Sequence, residues 1–121
     1  MAYLGAMAHD TQTIPPAQAH ALATLVATTE NGIASRVLAR SGGGNVTLFA
    51  FDAGQGLEEH TSPFDALVLV LEGALSLTIG GAEVRATPGT IVRMPGGVPH
   101  ALEAAAPTRM LLVMLREPKK D

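Results

Sequence analysis

At 121 residues the chain holds one domain and leaves no room for a separate catalytic lobe. A net charge of −3, a pI near 5.7 and only four aromatic residues, three Phe and one Tyr, argue against binding nucleic acid: there is neither a basic stripe for phosphates nor a platform for bases. Cysteine is absent, which excludes disulfides and thiolate metal sites, so the expected ligands for any metal are His, carboxylate or water.

Residues 1–20 combine Ala, Gly and Thr with the pair Pro15-Pro16 and show no sustained period, so the expectation is a flexible, irregular N-terminal arm. It carries His9 and His20, which belong to no spaced cluster and read as solvated histidines, and the single tyrosine, Tyr3. The opening MAYLGAMAHD has no basic n-region or continuous apolar core, and no apolar run reaches membrane-spanning length. A cytoplasmic protein without membrane contact is expected. Residues 21–121 then form the single folded domain; the Ala-rich stretch from Ala17 to Ala27, which straddles that boundary, fits either a short helix or an opening strand.

After Gly32 short apolar runs alternate with Gly, Pro and Asn, the spacing of an all-β fold. Strands are predicted over Ile33–Leu38, Val46–Phe51, Ala66–Leu71, Ala74–Ile79, Glu83–Ala86, Thr90–Met94, His100–Ala104 and Met110–Leu115. The linkers SGGGN, DAGQG, TPG and PGGVP supply positive-φ turn positions. LEGAL and IGGAE read as two successive hairpin turns, which makes the expected order an antiparallel meander. Leu67–Leu71 and Met110–Leu115 are apolar on both faces, and such strands lie between two covered layers. With 47% hydrophobic and only 16% charged residues, the expected cover is a second copy, giving a homodimer through apolar sheet faces. Phe49, Phe51, Met94, Met110 and Met114 are expected to line the barrel interior, as core or as the apolar floor of a pocket.

Two frames stand in register within these strands. The first is Gly54, five residues, His60, one residue, Ser62, three residues, Ala66, six residues, Gly73; the second is Gly89, five residues, Pro95, one residue, Gly97, two residues, His100, three residues, Ala104. They resemble the two motifs of the small single-domain cupins of the RmlC-like superfamily, G-x5-H-x-H-x3–4-E-x6-G and G-x5-P-x-G-x2-H-x3-N. The resemblance runs from about Val46 to Leu115 and implies an antiparallel double-stranded β-helix, or jelly-roll barrel.

The resemblance also implies a metal in the barrel, held in the family by three histidines and a glutamate. Here His60 and His100 stand at two of those positions, while Ser62 and Ala66 stand at the others. Water, ligand oxygens, the Ser62 hydroxyl or the neighbouring Asp65 are the available completions of a Zn, Ni, Fe or Mn site. A regular strand, however, turns Asp65 to the face opposite Ala66. Two functions follow. One is a metal-dependent cupin of the dioxygenase, decarboxylase or isomerase type; the other is a metal-free binding or sensing module in which the histidines fix the polar end of a small molecule. Metal-free epimerase chemistry ranks below both, because its usual tyrosine is represented only by Tyr3.

Overall fold

The computed structural model describes residues 6–117. Its elements run β1 (Ala6–Asp10), α1 (Leu22–Leu25), β2 (Gly32–Ser41), β3 (Gly44–Phe51), β4 (Gly56–His60), β5 (Asp65–Glu72), β6 (Leu75–Ile79), β7 (Ala82–Ala86), β8 (Ile91–Met94), β9 (His100–Glu103) and β10 (Thr108–Leu115). Every strand predicted from the turn spacing is present. The Ala-rich stretch resolves as a single helical turn, α1. Among the described residues no helix is long and apolar enough to cross a membrane.

The strands form two sheets, one in the order β1-β2-β3-β10-β5-β8 and the other β4-β9-β6-β7. This is a jelly roll, and it corrects the expected meander. IGGAE does make a hairpin, between β6 and β7. LEGAL does not: β5 belongs to the larger sheet and β6 to the smaller, so this turn carries the chain across the sandwich. Both turns use positive-φ glycines, and turn chemistry alone does not separate a hairpin from a crossing. Gly73 is the case where only glycine serves. Its φ is 82°, and a Cβ there would run into the backbone at Pro107 and Thr108.

Between the sheets lies the main core. Ile33, Phe49, Phe51, Leu57, Val68, Val70, Leu75, Leu77, Met94, Leu102 and Met110 fill it, each large side chain contributing roughly 2 kcal/mol of burial. Phe49 and Phe51 stack with centroids 5.8 Å apart. Along β5 the alternation is regular: Ala66, Val68 and Val70 are buried while Leu67, Leu69 and Leu71 on the outer face are half-buried.

A second apolar cluster explains part of that outer face. Val26, Ala34, Leu38, Leu48 and Ala50 pack there with Ile14, Leu25, Leu71 and Leu111, so the chain covers part of its larger sheet with its own N-terminal segment. The arm is accordingly more regular than expected. Ala6–Asp10 pairs parallel with β2, Ile14 N–H donates to the Leu38 carbonyl (2.9 Å), and the Arg36 and Arg40 guanidiniums donate to the carbonyls of Gln12 and Thr11. These are main-chain attachments, which leave no apolar period in the sequence. Ile91 and Leu115, outside this cluster, are exposed at 60% and 48%. Tyr3 lies outside the described residues.

Candidate functional site

His60 is the last residue of β4 and His100 the first of β9, and the two are directly paired in the smaller sheet. None of the predicted strands contains His60; β4 escapes prediction because Leu57 is the only large apolar residue in Gly56–His60. The missed strand contains the feature that builds the site. Leu57 opposes Leu102 and His60 opposes His100, so three steps on β4 match two on β9. This is a β-bulge, and its extra residue has a specific effect. In a regular strand a residue three positions from the inward Leu57 would face outward; the bulge turns His60 back onto the face that His100 shares with Leu102.

The two imidazoles meet edge to face, with ring centroids 4.4 Å apart. His100 is 6% exposed, while His60 sits exposed at the rim. Each ring is oriented by its own strand end: His60 Nδ1 lies 2.9 Å from the Glu58 carbonyl and His100 Nδ1 lies 3.1 Å from the Val98 carbonyl. A carbonyl only accepts, so both Nδ1 atoms carry the proton. In the neutral rings both Nε2 atoms therefore present bare lone pairs. A backbone carbonyl fixing the second nitrogen is the support that metal-ligating histidines commonly have. Each such lone pair can accept a hydrogen bond from a ligand or coordinate a cation.

Asp65 does not join them. Its Oδ1 accepts from Gly96 N–H (2.8 Å) and its Oδ2 accepts from Arg93 Nε (3.0 Å) and Nη2 (2.6 Å), which commits both oxygens. The Gly96 amide first, and then the Arg93 guanidinium, hold its carboxyl below the ordinary carboxylate range. This places Asp65 on the outer face, as regular strand parity requires. The Ser62 hydroxyl accepts from Phe64 N–H (3.3 Å), and its carbonyl accepts from Gly97 N–H (2.8 Å). Together with the close approach of Gly96 to Pro63, the Gly97–Ser62 bond clasps the linkers 61–64 and 95–99 to each other beside the histidines.

The expected pocket-lining residues separate by depth. Across the larger sheet the inward row nearest the histidines is Met94, Ala66, Met114 and Asn45; Val70, Met110 and Phe49 lie two rows further in, and Phe51 beyond them. Met110 and Phe51 have no exposed surface and are core. Ala66, where the family's glutamate stands, is 4% exposed and offers no donor atom. Among the described residues no three His, Cys, Asp or Glu side chains converge to hold a metal. The three-histidine, one-glutamate set is therefore not assembled here.

A family profile for the Cupin domain matches residues 47–115, more than half of the chain. Among solved structures, a conserved protein of unknown function from Streptococcus pyogenes is 33% identical, with 91% of this chain and 96% of that chain covered and a TM-score of 0.83. A cupin superfamily protein from Desulfitobacterium hafniense DCB-2 is 26% identical over 88% of this chain and 98% of that one, with a TM-score of 0.80. KdgF from Halomonas sp., at 23% identity over 76% and 86% of the two chains and a TM-score of 0.67, shares the fold. No curated protein matches the sequence. The jelly roll, the two motif frames and the profile match agree: this chain belongs to the cupin family.

Proposed function

We propose that this cupin is a binding protein whose paired imidazoles hold one weakly bound divalent ion, or the polar end of a small molecule, at the open end of the barrel. The observation that carries the reading is the pairing of the rings: their centroids stand 4.4 Å apart and both Nδ1–H groups are spent on backbone carbonyls, which leaves Nε2 of each ring as the acceptor. With no third His, Cys, Asp or Glu converging on them among the described residues, water and ligand oxygens complete the coordination, and Zn, Ni, Fe or Mn is held loosely.

The test is to titrate chelator-treated protein with each of these four ions and measure bound metal per chain. The expected result is at most one equivalent, removed again by chelator and abolished in the His60→Ala, His100→Ala double variant. Protein that takes up no ion, and whose melting temperature is moved by no small acid or sugar, overturns the proposal.

A metal-free version of the same site is favoured by one observation, the lack of a third converging His, Cys, Asp or Glu among the described residues. It predicts that chelator-treated protein still gives a thermal shift with a small polar molecule, and that the double variant loses it. We further propose that a second copy of this chain covers the outer face around Leu67, Leu69, Ile91 and Leu115, which lie outside the cluster formed with the described part of the N-terminal segment.

A further inference from the structure

The residue that replaces the family's glutamate stands in unusual chemical company. Ala66 faces into the barrel, and its direct cross-strand neighbours are Met94 on β8 and Met114 on β10. Such neighbours stand roughly 5 Å apart, so two thioethers flank the position from which the carboxylate is missing. The row lies at the histidine end of the sandwich. The linker 95–99 joins Met94 to His100, and the linker 61–64 joins His60 to the strand that begins one residue before Ala66. Met94 is 3% exposed and Met114 is half-buried.

We propose that this end of the barrel is a soft-cation site that selects Cu(I), with His60 Nε2 and His100 Nε2 as nitrogen ligands and the sulfurs of Met94 and Met114 as thioether ligands. The proposal deepens the two-histidine reading and rests on it. Three physical arguments support the choice of ion. Thioether and imidazole donors suit Cu(I), whereas a carboxylate would favour harder ions. The candidate ligand set carries no charge, because Asp65 is committed to Arg93 and Gly96 on the outer face. In such a neutral, partly dry site the solvation cost of an ion rises with the square of its charge, so a divalent ion pays roughly four times what a monovalent one does. Methionine also moves its sulfur at little conformational cost, which lets two side chains close on an ion from opposite sides of Ala66.

The experiment is an anaerobic competition for Cu(I) against bicinchoninate, run beside a competition for Zn(II) against a chelating dye. Full-length wild type is compared with Met94→Leu/Met114→Leu and with His60→Ala/His100→Ala. The wild type is expected to take one Cu(I) per chain. The leucine pair, close in volume to methionine, should weaken Cu(I) by at least tenfold and leave Zn(II) unchanged, and the alanine pair should lose both ions. X-ray absorption of copper-loaded wild type should show sulfur scattering at bonding distance; this readout needs no variant and decides the question if the leucine pair does not fold.

Unchanged Cu(I) affinity in a folded leucine pair, absent sulfur scattering, or wild type that takes Zn(II) but not Cu(I) would each overturn the copper assignment while leaving the paired histidines as a binding site. Wild type that takes neither ion overturns both the copper assignment and metal binding by the pair.

Discussion

The two ends of this sandwich are built from the same strands and differ in almost everything else. At one end Ile33, Phe51 and Leu75 are buried to 1% exposure or less, and Gly73 presses against Thr108. Thr108 Oγ1 accepts from Ala74 N–H (3.1 Å) and donates to the Ala106 carbonyl (2.8 Å), which seals the crossing between the sheets. At the other end stand two histidines, an alanine and two methionines, with His60 open to solvent. The closed end concentrates apolar volume and turn geometry; the open end concentrates donor atoms. Stability and binding should therefore respond to substitutions at opposite ends.

That separation can be broken experimentally. The largest effect is expected from Phe51→Ala, which empties a fully buried site at the closed end and should cost about 3–5 kcal/mol in denaturant unfolding. Gly73→Ala follows, on the order of 3 kcal/mol, because it combines an unfavourable φ with a backbone collision. Either variant, under conditions where it remains folded, should bind metal or ligand as the wild type does. A loss of binding in proportion to stability would show that the two ends are coupled.

The converse substitution, His60→Ala with His100→Ala, should abolish binding and cost stability only about 1–2 kcal/mol, since one ring is buried and the other is not. Replacing Ile91 and Leu115 by Asp should leave both ends intact and shift the mass measured by light scattering from two chains to one. The smallest effect belongs to the Asp65 clasp. Its carboxyl titrates lower in the folded chain than in the unfolded one, so its contribution is complete above the ordinary carboxylate range, about pH 4. It is lost as pH falls through that range and then through the lower native value. Asp65→Asn should remove this part of the acid dependence of the melting temperature.

Every strand of the larger sheet except β1 is legible in the sequence, because glycine-rich turns punctuate long apolar runs such as Leu67–Leu71; β1 lies in the stretch expected to be an irregular arm. Sequence reading did not find β4, whose Glu58 and Glu59 face solvent and interrupt any apolar alternation. It also took the Gly73 turn for a hairpin, since a crossing between sheets uses the same positive-φ residue. For the site, motif spacing singled out His60 and His100, and strand parity favoured an outward Asp65. What spacing does not encode is the bulge at Glu58 and Glu59 that brings the two rings together, nor the row that sets Met94 and Met114 on either side of Ala66. Both depend on which strands become neighbours, a property of the assembled sheets.

The position of β10 has a consequence for how the chain reaches this state. It lies between β3 and β5, with Thr108 opposite Phe51 and Leu115 opposite Gly44, so its ladder with β3 joins residues more than fifty positions apart in sequence. Until residues 108–115 arrive, β2-β3 and β5-β8 are separate ribbons, each with an open apolar edge facing the gap. Such long-range closure is slow, and an unpaired edge recruits other chains. The keystone of this barrel is thus among the last of its segments to be synthesised, and a nascent or truncated chain without it is the form most exposed to aggregation.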